Sequence, residues 1–111
     1  MSGAEFVFLY STFPDAGAAR RVADALVHAR LAACVNIHAP MISVYEWEGR
    51  MRHETEVALV IKTRASLVDE AIAQARALHP YTVPCFLTLP IAGGNDDYLD
   101  WARAQTAGEK I

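Results

Sequence analysis

Apolar and polar positions follow two different periods along this chain, and the switches between them mark its elements. Residues 6–10 (FVFLY) form a continuous apolar and aromatic run, which predicts a strand buried on both faces and therefore central in a sheet. Phe13-Pro14-Asp15 ends that run, and Asp15 is placed to cap a following helix. Ala18, Val22, Ala25, Leu26 and Ala29 recur at helical spacing, with Arg20, Arg21, Asp24 and His28 elsewhere on the wheel. Residues 34–47 read as an extended segment bent at Pro40, because proline cannot donate to a sheet ladder. Trp47-Glu48-Gly49-Arg50 turns the chain back, with Gly49 supplying the positive φ of a tight turn. Residues 51–63 then alternate. Their first half is polar on one face, and their second half is apolar on both, as a central strand requires.

Ser66-Leu67-Val68-Asp69 has the form of a capping box and predicts a helix with Leu67, Ala71, Ala75 and Leu78 on its buried stripe. Pro80 and Pro84 bracket a stiff extended link, since each fixes its own φ and biases its predecessor away from helix. Residues 85–91 read as a last strand. Tyr98, Leu99 and Trp101 are expected to anchor a short C-terminal helix, and residues 108–111 to fray. The order β-α-β-β-α-β plus a helix, with two right-handed crossovers around a hairpin, predicts an α+β, ferredoxin-like split fold. Helices cover one face of its sheet, and the strand order is 4-1-3-2. No repeat or linker interrupts residues 1–111, so a single domain is expected.

The hairpin is too long for such a domain. Thirteen residues, 51–63, reach about 43 Å at roughly 3.3 Å each, against a globular diameter of roughly 35 Å. With Tyr45 and Trp47 near its tip, it calls for a covering surface, most simply another copy of the chain. Composition agrees: 53% of the 111 residues are hydrophobic, a high share for a chain with so much surface. Ten basic against thirteen acidic side chains give a net charge of −3, which argues against a nucleic-acid partner. No apolar run approaches the roughly 18 residues of a membrane span, and no basic leader precedes one, so a soluble cytoplasmic protein is expected.

Candidate chemistry is sparse. His79 sits where a helix meets the proline-stiffened link. It is either a metal ligand or proton carrier, or a histidine at a helix C-terminus bonded to the last carbonyls. Cys34 and Cys85 lack CxxC spacing and are too few for a disulfide framework. They are either soft metal ligands or small buried hydrophobes. They lie on opposite edges of the predicted sheet, so they could meet only between neighbouring chains. Glu54, Glu56 and Lys62 project to one strand face, where solvated charge is the ordinary role. No P-loop, GxGxxG or GxSxG motif is present, so no enzyme is expected.

Five segments in register, LAACVNI (31–37), SVYEWEGR (43–50), ETEVALVIKT (54–63), HPYTVP (79–84) and YLDW (98–101), resemble the CutA family of divalent-cation tolerance proteins. The resemblance implies a ferredoxin-like subunit in a homotrimer that acts in tolerance of and response to copper and other divalent metal ions, without catalysis or an organic cofactor. Its characteristic positions fall here on Cys34, Trp47, Glu56, Lys62, His79 and Tyr81, with His79 as the implied copper ligand. One departure stands out. Where the family usually carries glutamate after the second proline of HPYxVP, this chain has Cys85, a soft sulfur suited to copper(I) or zinc. The competing expectation is a PII-like trimeric signalling protein binding a small anion near Lys62, although those regulators carry a long mobile loop where this chain has a tight hairpin.

Overall fold

The computed structural model describes residues 3–107. Strand β1 (Phe6–Phe13) is followed by helix α1 (Ala16–His28), then by β2 (Cys34–Ile37), β3 (Met41–Trp47) and the long β4 (Arg50–Arg64). After a single 3-10 turn (Ala65–Leu67) come helix α2 (Val68–Leu78), β5 (Leu87–Pro90) and helix α3 (Asp96–Gln105). The strands run β2-β4-β1-β5, with β3 added to β4 beyond that path. This is the ferredoxin-like order expected from the sequence. The bend at Pro40 divides the expected second strand into β2 and β3.

Leu9 and Phe13 of β1 and Val57, Leu59 and Ile61 of β4 project from one sheet face into the core. Against them pack Ala18, Ala19, Val22, Ala23 and Leu26 of α1 with Ala71 and Ala75 of α2. The alanines let both helices approach the sheet closely. Asp15 caps α1 by accepting the Ala18 amide at 2.8 Å. At its other end Arg30 adopts φ 62°, while the Leu31 amide reaches back to Leu26 and the Arg30 amide to Val27, a Schellman closure.

Three local expectations are corrected. Ser66 does not cap a helix: α2 begins two residues later behind the 3-10 turn, without a side-chain cap. Leu78 is exposed, so the buried stripe of α2 narrows to Ala71 and Ala75. Tyr98 and Trp101 do not anchor α3. Leu99 and Ala102 do, against Phe6 and Ala33, while the two aromatics lean on each other at 5.5 Å on the outside. Two arginines hold the C-terminus of α3, Arg30 donating to the Gln105 carbonyl and Arg64 to that of Arg103. The expected fraying of residues 108–111 lies outside the described residues.

The hairpin stretches the molecule to 45 × 31 × 24 Å. Its two faces differ. Met41, Ser43, Tyr45 and Trp47 stand opposite Glu56, Glu54, Arg52 and Arg50, and Tyr45, Trp47 and Glu56 of that face line a cleft of their own chain. The other face presents Ile42 (73% exposed), Val44 and Met51 (62% exposed). The residues left uncovered are therefore the aliphatic ones more than the aromatic pair singled out in the sequence.

Candidate functional site

Glu56 lies at the joint of the fold. Pairing of β4 with β1 ends at Val57, and pairing with β3 begins at Glu56 itself. The residue is only 7% exposed. The second component comes from the end of α2. Pro80 forces its predecessor out of helix, so His79 takes an extended conformation (φ −78°, ψ 135°) as the C-cap. The imidazole then stacks on Phe13 at 4.2 Å, with 23° between the ring planes.

Both ring nitrogens of His79 are engaged. Nε2 donates to the Thr12 carbonyl at 2.9 Å, and Nδ1 accepts the backbone N–H of Tyr81 at 3.1 Å. A carbonyl only accepts and an amide only donates, so the ring is neutral with its proton on Nε2. Burial holds its pKa below the ordinary value, against the opposing effects of the Thr12 carbonyl and the Glu56 charge. As folded, His79 offers no free lone pair to a metal. What it does is fix the backbone of Tyr81, whose hydroxyl donates to Glu56 Oε2 at 2.7 Å. Burial, that bond and the surrounding negative charge push the Tyr81 phenol far up, so it stays a donor.

A cavity of about 430 Å³ opens over this pair, lined by Tyr45 and Trp47 from the hairpin, Thr12 from β1, Glu56, Tyr81 and Cys85. Burial, and then the Glu56 charge, raise the Cys85 thiol above its usual value, so it is protonated at neutral pH. A second cavity near His38 and Pro40 has Asp15 as its carboxylate, and that side chain is already engaged in capping α1.

The sequence-predicted residues thus divide into two groups. Trp47, Glu56, His79, Tyr81 and Cys85 come together. Cys34 and Lys62 do not: they are cross-strand neighbours six residues along β4 from Glu56, about 20 Å away, where the Lys62 ammonium lies 5.7 Å from the Tyr98 ring centre. Cys34 lies in β2 and Cys85 two residues ahead of β5, at the other end of the strand order, and among the described residues no group of three or more His, Cys, Asp and Glu side chains could hold a metal ion. Sequence reading missed Thr12 and Phe13, the seat of His79. Their roles come from a backbone carbonyl 67 residues from His79 and a ring stack beside it, for which no local signal exists.

Comparison with known proteins settles the lineage. The family described as CutA1 divalent ion tolerance protein matches residues 7–105. The chain belongs to that family. The divalent-cation tolerance protein CutA of Thermus thermophilus is 46% identical over 95 residues, covering 86% of this chain and 92% of that protein. The chloroplastic protein CutA of Arabidopsis thaliana is 43% identical over 100 residues, and there the chain spans 55% of its relative's length. Among solved structures, the stable protein CutA1 of the psychrotrophic bacterium Shewanella sp. SIB1 superposes with a TM-score of 0.91 at 36% identity, covering 95% of this chain and 98% of that one. The span that matches the family, residues 7–105, includes the HPY segment and the hairpin. Among the described residues, no helix is long and apolar enough to cross a membrane.

Proposed function

We propose that this chain acts in divalent-cation tolerance as a non-catalytic homotrimer in a reducing, cytoplasmic compartment. In this reading Cys85 and Glu56 are the metal contacts of the cleft, and copper or zinc is the preferred ion. The observation that carries the reading is that a thiol and a buried carboxylate line the same cleft. A soft and a hard donor in one cleft suit borderline and soft metals better than magnesium or calcium. Because the thiol is protonated when free, binding displaces a proton, and affinity rises with pH. His79 serves as a positioning residue for Tyr81, and Cys34 reaches a metal only if a neighbouring chain presents it.

Assembly is supported separately. Phe8, Tyr10, Val60, Leu87 and Leu89 share the sheet face opposite α1 and α2, where Leu87 is 57% and Leu89 49% exposed. Together with Ile42, Val44 and Met51 on the hairpin, this is more apolar surface than a lone subunit keeps in water. The number three comes from the family resemblance.

The test is calorimetric titration of the reduced protein with copper(I) and zinc(II), for the wild type and for Cys85→Ser, Cys34→Ser and His79→Gln. Loss of most metal affinity in Cys85→Ser, with a smaller loss in His79→Gln, is expected. A wild-type isotherm for Cys85→Ser, or no binding by any form, overturns the assignment.

A further inference from the structure

We propose that the cleft also binds a small organic cation, an alkylammonium or quaternary ammonium group, with Tyr45, Trp47 and Tyr81 around its head and Glu56 as its counter-charge. The inference does not rest on the metal reading, because it uses the rings and the carboxylate and needs no sulfur.

Three observations converge on it. The first is size: about 430 Å³ lies in the range of small-molecule pockets and is far more than a bare metal ion fills. The second is the lining. Three aromatic residues line the cavity with one carboxylate, whereas Arg50 and Arg52, on the same hairpin face opposite Trp47 and Tyr45, do not line it. The negative faces of aromatic rings attract weakly hydrated organic cations, and desolvated sites strengthen that attraction.

The third is an electrostatic imbalance. Glu56 is almost wholly buried, yet no Lys, Arg or His among the described residues forms an ion pair with it. Its hydrogen-bond partner is the neutral hydroxyl of Tyr81, held as a donor. A buried charge without a counter-charge is costly, so a cation entering the cleft gains from a carboxylate already oriented and largely stripped of water. Within the single subunit Tyr45 and Trp47 are half-exposed.

Choline and its uncharged isostere, the alcohol in which carbon replaces the quaternary nitrogen, separate charge recognition from simple filling of an apolar cavity. The full-length protein, stripped of metal with chelator and held at constant ionic strength, is titrated with each by calorimetry and tryptophan fluorescence. Saturable choline binding is expected, with the isostere about tenfold weaker or worse. Glu56→Gln and Trp47→Leu should each lose about tenfold in choline affinity, and Trp47→Phe, which keeps a ring, should recover most of it. Tyr98→Leu, an aromatic loss outside the cleft, should bind as wild type. Thermal melts of every variant confirm folding before titration. Absence of saturable choline binding, equal affinity for the uncharged isostere, or undiminished binding by folded Glu56→Gln would each overturn the proposal.

Discussion

His79 and Thr12 are joined by a hydrogen bond of 2.9 Å from the imidazole Nε2 to a β1 carbonyl, closing a span of 67 residues. This bond and the Phe13 stack tie the end of α2 to the end of β1, while the Nδ1 lone pair that accepts the Tyr81 amide exists only on the neutral ring. The cleft therefore depends on the protonation state of one histidine.

Stability should accordingly fall in mild acid. Burial keeps the folded-state pKa of His79 below its ordinary 6.5, so the unfolded chain takes up a proton that the folded chain resists. The contribution is complete above about pH 6.5 and is lost as pH falls from there through the lower folded value. Urea unfolding at a series of pH values should show this slope in the wild type. It should be flatter in His79→Gln, whose amide cannot titrate in this range. Equal slopes would remove His79 as its source.

Two hydroxyls on the core face of the sheet should respond to deletion with opposite signs. Thr63 Oγ1 donates to the Leu31 carbonyl at 2.7 Å in a fully buried setting. Thr63→Val should cost about 1–3 kcal/mol, since it strands that carbonyl. Ser11 is equally buried, but its Oγ has no partner among the described residues. Ser11→Ala should be neutral or stabilising by up to about 1 kcal/mol, because it removes an unmet polar atom. Denaturant midpoints for the pair, at unchanged m-value, check both.

The fold was legible because its strongest signals are periodic. The run FVFLY and the apolar second half of β4 set the two central strands, and Pro40 and Gly49 set the break and the turn. The turn proved doubly left-handed, with Glu48 at φ 52° beside Gly49 at φ 77°, as a two-residue hairpin loop requires. Capping and anchoring were read less well. Ser66 fits a capping pattern but falls in a 3-10 turn, and Tyr98 and Trp101 outrank Leu99 and Ala102 in hydrophobic bulk yet face outward. Which side of a short helix meets the body is decided by distant partners such as Phe6. The site was half legible for the same reason. HPYTVP announces a held histidine, but the atoms that hold it belong to β1.

Assembly should depend on the open face of the sheet. Leu87 and Leu89 lie on β5 across from Tyr10 and Phe8, clear of the helix-covered core. Leu89→Asp should leave a folded subunit by circular dichroism but shift sedimentation equilibrium toward monomer. The wild type should melt at a temperature that rises with protein concentration, since subunit binding adds to folding stability. A concentration-independent midpoint for both proteins would remove the oligomer.

The Tyr81–Glu56 pair should behave as one coupled unit. Tyr81→Phe takes away the hydroxyl that Glu56 accepts at 2.7 Å and leaves a nearly buried carboxylate short of a donor, at a cost of about 1–3 kcal/mol. Glu56→Gln alone leaves an amide oxygen that can still accept from the phenol, so its cost should be smaller. In the double variant the missing donor matters less, because a neutral amide is cheaper to bury than a carboxylate. The cycle should therefore show a coupling of about 0.5–3 kcal/mol. Strictly additive free energies from urea denaturation would mean that this bond does not hold the link from His79 to Pro84 against β4. His79 would then position a side chain that contributes nothing to the cleft.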